Sequence, residues 1–191
     1  MSRISKNDIE LWLDHGILWA KKCMDISGEI TQELAQSVIK RLHLLDSTKQ
    51  DTKITILLNS EGGDTAQGLA IYDAIKNCIS HVEIIVNGEC YSVAAWILQA
   101  ADTRRMMPNS KLMVHVGEFE LPMNHPGNQE AWLNDWKDDE LIFNTILLER
   151  IQQVRPHYTE QDVAQLIQFD TILSPIRTVE LGLADDVVGG E

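Results

Sequence analysis

Apolar positions along the chain switch between a strand-like and a helix-like period, and the switches mark out the elements. Short β-branched or aliphatic runs at 54–58 and 82–86 predict buried strands, and 112–115 predicts another. Residues 17–19 and 22–26 read as short strands ending at Gly28. Leu34, Ala35, Val38, Leu42 and Leu45 recur at helical spacing, which predicts a helix over 31–45 with an exit loop at Asp46, Ser47 and Thr48. Ala66, Leu69, Ala70 and Ile75 lie on related faces of a second helix that Asp64 is placed to cap. The Ala-rich run 96–101 predicts a buried helix, and Met107 to Ser110 a turn. Residues 130–154 read as one long helix with Trp132, Trp136, Phe143, Leu147, Ile151 and Val154 in a stripe. That stripe faces either another subunit, leaving it bare on a lone chain, or the chain's own core. Thr159 and Asp162 form a variant capping box. Ser174-Pro175 opens a last helix, Gly182 closes it, and 183–188 forms a final strand. Residues 1–16 form a polar N-terminal segment with one amphipathic turn around Ile9, Leu11 and Leu13. Strand–helix–strand–helix order predicts an α/β fold with a mainly parallel sheet and right-handed crossovers.

At 191 residues, the chain is expected to be an N-terminal segment, 1–16, followed by one domain over 17–191. An apolar fraction of 44% and a charged fraction of 24% fit a soluble globular protein. No run reaches membrane-spanning length and no signal-peptide core precedes residue 16, so a cytoplasmic location is expected. The net charge of -13, with no basic stripe, argues against a nucleic-acid partner. Cys23, Cys78 and Cys90 are odd in number and lack metal-ligand spacing, so they are expected reduced and mostly buried. No metal or cofactor is expected.

The candidate chemistry centres on Gly88-Glu89-Cys90-Tyr91-Ser92-Val93. Ser92 falls at a strand-to-helix turn, beside the free N–H groups of a helix mouth. It is there either as a nucleophile or as an N-cap. A hydroxyl nucleophile needs a base in hydrogen-bond reach and a carboxylate to orient that base. His15, His43, His81, His125 and His157 fall in loops or on helix surfaces. His115 ends a strand expected to run parallel to the one before Ser92, where strand C-termini converge. It is either that base or a structural histidine. Asp170 stands alone between apolar neighbours upstream of a helix start, as an orienting acid or a capping residue. The paired glycines Gly62 and Gly63 permit tight turns and close approach by another chain.

Five segments occur in order: Asn59-Ser60-Glu61-Gly62-Gly63, Gly68-Leu69-Ala70-Ile71-Tyr72-Asp73, Gly88-Glu89-Cys90-Tyr91-Ser92, Pro108 to His115, and Leu181-Gly182-Leu183-Ala184-Asp185. Together they resemble the Clp protease proteolytic subunit family over roughly residues 17–188. The resemblance implies a crotonase-like β-α spiral with the long helix as a protruding handle. It makes Ser92 the nucleophile, His115 the general base and Asp170, rather than Asp162 or Asp185, the triad acid. The backbone N–H groups of Gly63 and Val93 become the oxyanion hole. Gly62 and Gly117 are the expected substrate contacts, with substrate pairing along 117–127 by main-chain hydrogen bonds. The family usually has Pro at Glu61 and Met at Val93, and the N-terminal segment does not match its axial loops, as in a divergent or phage-type member.

The implied function is a serine endopeptidase acting through an acyl-enzyme inside an oligomeric chamber. A homo-oligomer is implied, seven subunits to a ring and two rings docked through the handles. Substrates would be peptides or unfolded polypeptides. An AAA+ unfoldase is the candidate partner, since this chain has no Gly-Lys-Ser/Thr phosphate loop. Two other readings are a crotonase-type acyl-CoA enzyme, which would not need the triad, and a non-catalytic ring or scaffold subunit.

Overall fold

The computed structural model describes residues 4–47, 53–117 and 129–190. A mixed sheet of eight strands carries helices around it. Strands β1 (Ile17–Leu18), β2 (Cys23–Ser27), β3 (Ile54–Ser60) and β4 (Val82–Tyr91) lie side by side, followed by β5 (Thr103–Met106) and β8 (Asp186–Val187). All neighbours from β2 to β8 on this path are parallel, and only β1 runs antiparallel. The buried runs are β-branched and aliphatic, and Ile54, Ile56, Leu58, Val82, Ile84 and Val86 are almost fully enclosed. A parallel sheet covered by helices demands that.

The longest strand, β4, serves two neighbourhoods. Its first half pairs with β3 and β5, and its last residues pair in parallel with β6 (Lys111–Val114). A register shift between Leu58 and Ser60 accompanies the change. The Asn59 side chain bridges it by accepting the Glu89 N–H at 2.8 Å. Strand β6 then pairs antiparallel with β7 (Thr171–Leu173). The hydrophobic pattern marks neither β5 nor β7. Thr103-Arg104-Arg105-Met106 and Thr171-Ile172-Leu173 are too short and too polar or exposed to show a period, and pairing partners alone make them strands.

Helices α2 (Gln32–Asp46), α3 (Thr65–Lys76) and α4 (Val93–Ala100) follow the expected patterns. Thr31 caps α2 through the Leu34 N–H, and Asp64 caps α3 through the Gln67 N–H at 3.0 Å. Residues 6–15, left without an element by pattern, form α1 (Lys6–His15). A Ser5/Asp8 capping box starts it and Gly16 in the left-handed region ends it. It buries no residue, so its local caps, not a hydrophobic stripe, define it. Arg41 ties its end to the sheet, donating to the carbonyls of His15 and Gly16 and to Asp25 Oδ1 at 2.9 Å.

Helix α5 (Gln129–Gln152) is the long helix, 24 residues, followed by α6 (Glu160–Ile167) and α7 (Pro175–Glu180). On the single chain the expected stripe is bare only at its two ends, Trp132 and Val154. Phe143, Leu147 and Ile151 are buried in the chain's own core, with Phe143 stacked on Trp96 at 4.6 Å. Within α5 the exposed large apolar residues are Trp132, Leu141 and Ile142. Helical spacing identifies a stripe but not its partner, because a core helix and an interface helix bury the same face. Phe143→Ala is therefore expected to lower the unfolding free energy by about 3–5 kcal/mol. Urea titration at fixed protein concentration reads this loss; an interface-only ring would leave the dissociated chain unaffected. Among the described residues no helix is long and apolar enough to cross a membrane.

Candidate active site

Ser92 joins β4 to α4 with φ 54° and ψ -126°, in the region L residues rarely occupy. Such strain costs on the order of 1–3 kcal/mol and persists where the surroundings enforce it. The enforcing contacts are visible. The Ser92 N–H donates to the Met113 carbonyl at 3.0 Å, tying the turn to β6. Gly62, at φ 101°, lies so close that a Cβ there would sit 2.8 Å from Ser92 Cβ and from the Tyr91 carbonyl. Ser92 occupies the N-cap position of α4, but its side chain makes no capping hydrogen bond. Its Oγ instead lies 2.9 Å from His115 Nε2.

His115 stands one residue past β6, and β6 is parallel to the end of β4, so both side chains arrive at the same sheet edge. Asp170 arrives by register. Leu112 faces Leu173, Met113 faces Ile172 and Val114 faces Thr171, so the next residues in line are His115 and Asp170. The His115 Nδ1 to Asp170 Oδ1 distance is 3.1 Å. The histidine side chain is 20% exposed and the aspartate 71% exposed, so this acid is wetter than the buried acid of a closed triad. The other two carboxylates are engaged elsewhere. Asp162 closes the α6 capping box, accepting the Thr159 N–H at 2.8 Å, and Asp185 accepts the Arg104 N–H at 2.7 Å. His15, His43, His81 and His157 are exposed and make no contact with Ser92, while His125 lies outside the described residues.

Two backbone donors border this pair. Val93 is the first residue of α4, where an N–H has no intrahelical acceptor. Gly63 stands at φ 145° against Ile30, where a Cβ would meet the Ile30 carbonyl at 2.6 Å. Neither N–H donates to another described group. Gly62, expected as a substrate contact, also has main-chain hydrogen bonds within the chain. Its N–H donates to Ser60 Oγ at 3.1 Å and its carbonyl accepts from Ile30 at 2.7 Å, so both groups are used within the chain. It packs closely under Ser92. Glu61 is exposed.

A cavity of about 220 Å³ opens beside Ser92 and His115, with Gly63 and Val93 in one wall and Trp136 and Glu140 of α5 in another. Glu140 Oε1 accepts the Gly117 N–H at 2.9 Å, so that donor is already engaged, and the rest of the expected pairing segment, 118–127, lies outside the described residues. Burial, the largest influence, pushes the Glu140 carboxyl up, while the Gly117 N–H and His115 act against it. The sequence reading does not single out Glu140, because Asp138-Asp139-Glu140 looks like any solvated acidic face. A larger cavity, about 510 Å³, lies between the ends of α2 and α3 beside His43, Asp46 and Cys78. Burial pushes the Cys78 thiol there up to about 12, which leaves it protonated and unreactive at neutral pH. Cys90 is buried and also pushed up, and Cys23 is half-buried. Among the described residues no three His, Cys, Asp or Glu side chains converge as metal ligands.

A hydroxyl in reach of an imidazole, an imidazole in reach of a carboxylate and two backbone donors alongside can carry acyl transfer. The comparisons with known proteins point the same way. The family model for Clp protease matches residues 10–191. The ATP-dependent Clp protease proteolytic subunit 3, chloroplastic, of Arabidopsis thaliana is 28% identical over 174 residues, 90% of this chain and 54% of that protein. The ATP-dependent Clp protease proteolytic subunit of Deinococcus radiodurans is 28% identical over 170 residues, 85% of this chain and 78% of that protein. This chain thus spans about half the length of the first relative and over three quarters of the second. Among solved structures, a ClpP1 mutant from Listeria monocytogenes matches with a TM-score of 0.78 at 27% identity, over 91% of this chain and 95% of that one. This chain belongs to the Clp protease family.

Proposed function

We propose that the chain is a Clp-type peptidase subunit, a serine endopeptidase that cleaves peptide bonds through an acyl-enzyme on Ser92. The observation that carries this reading is the series Ser92 Oγ, His115 Nε2, His115 Nδ1 and Asp170 Oδ1 at 2.9 and 3.1 Å, in a chain of that family. With Nδ1–H donating to Asp170, Nε2 keeps its lone pair and accepts the Ser92 proton as Oγ attacks the carbonyl carbon. The C–O bond forms, the carbonyl electrons move onto oxygen, and the Gly63 and Val93 N–H groups stabilise that oxyanion. His115 returns the proton to the leaving amine as the C–N bond breaks. Water, activated by the same imidazole, then releases the acyl group.

Residues 17–191 form the peptidase domain in this reading, and 1–16 an N-terminal segment. The subunits close into seven-membered rings that dock in pairs through α5, whose exposed Trp132, Leu141 and Ile142 are the apolar surface for that contact. The ring encloses the sites, a separate AAA+ unfoldase spends the ATP, and the cytoplasm is the compartment. Light scattering is expected to give a mass many times the 21.6 kDa of one chain. The assembly is expected to hydrolyse short fluorogenic peptides and leave a folded protein intact. An active monomer, or unaided digestion of a folded protein, would count against enclosure.

A further inference from the structure

The cavity beside Ser92 carries charges that acyl transfer does not use. Asp139 stands with Glu140 in the wall supplied by α5. Both are partly buried, yet neither forms an ion pair with a lysine or arginine among the described residues. Burial is the main influence raising the Asp139 carboxyl, and the negative charges of Asp135, Asp138 and Asp64 add to it. Glu140 has one oxygen committed to the Gly117 N–H, whereas Asp139 accepts no hydrogen bond from a described group. A desolvated carboxylate without a counter-charge is unfavourable, and a cation placed beside it relieves that cost. The neighbouring walls suit the stem of such a cation. Trp96, 5% exposed and stacked on Phe143, is held rigidly, and Trp136 stands near it. Indole faces attract alkyl-ammonium and guanidinium groups and cover their methylenes. A divalent cation is a poorer occupant, since it needs more oxygen ligands than these two side chains bring.

We infer that this cavity receives the side chain of the residue whose carbonyl Ser92 attacks, and that it selects lysine or arginine there, with Asp139 as the charge partner. This selection presupposes the peptidase reading of Ser92. A leucine in the same place would leave the Asp139 charge desolvated and unpaired, and a glutamate would meet the carboxylates of both Asp139 and Glu140. Asp139 is thus a specificity-determining residue, not one that takes part in bond making.

The test uses the assembled protein and two fluorogenic peptides that differ only in arginine or leucine before the scissile bond. The arginine peptide is expected to have a kcat/KM at least about tenfold higher, the discrimination that one desolvated charge pair sustains. Asp139→Asn is expected to shrink that ratio about tenfold, while Asp139→Glu keeps the preference for arginine. The ratio is taken on one sample, so a partly unfolded variant does not change it. Equal or leucine-favouring hydrolysis by the native protein, or a ratio untouched by Asp139→Asn, overturns the inference alone. If neither peptide is cleaved and a fluorophosphonate leaves Ser92 unmodified, the peptidase reading falls and the inference with it.

Discussion

Ser92→Ala is expected to lower kcat/KM for a peptide by about 10⁵–10⁶-fold, and replacing Ser92, His115 and Asp170 together to cost hardly more. The members of a triad act as one device: without the nucleophile, the base and the acid have no proton to move. What remains comes from the two backbone donors and from binding, which the alanine leaves in place. The native, assembled protein is expected to take a fluorophosphonate on Ser92, located by mass spectrometry, and the alanine variant to take none. The result has structural logic beyond the missing oxygen. Ser92 is held at φ 54° by Gly62 beneath it and by its N–H on Met113, and its hydroxyl is directed to His115 rather than to a cap. A serine serving only as an N-cap would lose a capping bond on replacement, cost about 1 kcal/mol of stability, and leave turnover alone. Full peptidase activity in Ser92→Ala would therefore remove the mechanism altogether.

Asp170→Asn is expected to reduce kcat by about 10³–10⁴-fold while the protein still folds and assembles. The loss arises because an amide offers the imidazole a donor as well as an acceptor, so the tautomer with its lone pair on Nε2 is no longer selected. The effect should be smaller than that of Ser92→Ala. Asp170 is 71% exposed, and a carboxylate in water steadies an imidazolium less than a buried one does. Nitrogen-15 shifts of the His115 ring check the tautomer directly, independent of rate. A variant with native turnover, or a native ring whose Nδ1 proton faces something other than Asp170, would show that a different group orients the histidine.

Much of this site was legible in the sequence because its parts announce themselves locally. A β-branched run followed by an Ala-rich one sets a strand-to-helix turn at Ser92, and the apolar run Leu112-Met113-Val114 leads into His115. The paired glycines before Asp64 mark where the backbone can turn tightly. Helix starts at Asp64, Thr159 and Ser174 are readable for the same reason, since a cap involves residues only three apart. Resemblance to a family added the roles, which spacing alone left open between nucleophile and cap, or base and structural histidine.

Other features depend on which strand lies beside which, and local sequence carries no such information. Asp170 meets His115 because β7 pairs antiparallel with β6 in one register, and a shift of one residue would turn it away. The three residues of β7 are too few to show a period, so the pairing that positions the acid was invisible. The α5 stripe had the right spacing for either a core or an interface, and only packing against Trp96 assigned Phe143 to the core. Glu140 and Asp139 were lost in an acidic run until the helix brought that run to the cavity beside Ser92. Period, cap and turn are short-range properties of the chain, so the sequence by itself determined most of the elements and the strand-to-helix turn that carries Ser92. Register, burial and the charges around the cavity are set by contacts between residues distant along the chain, and the tertiary structure alone decided them.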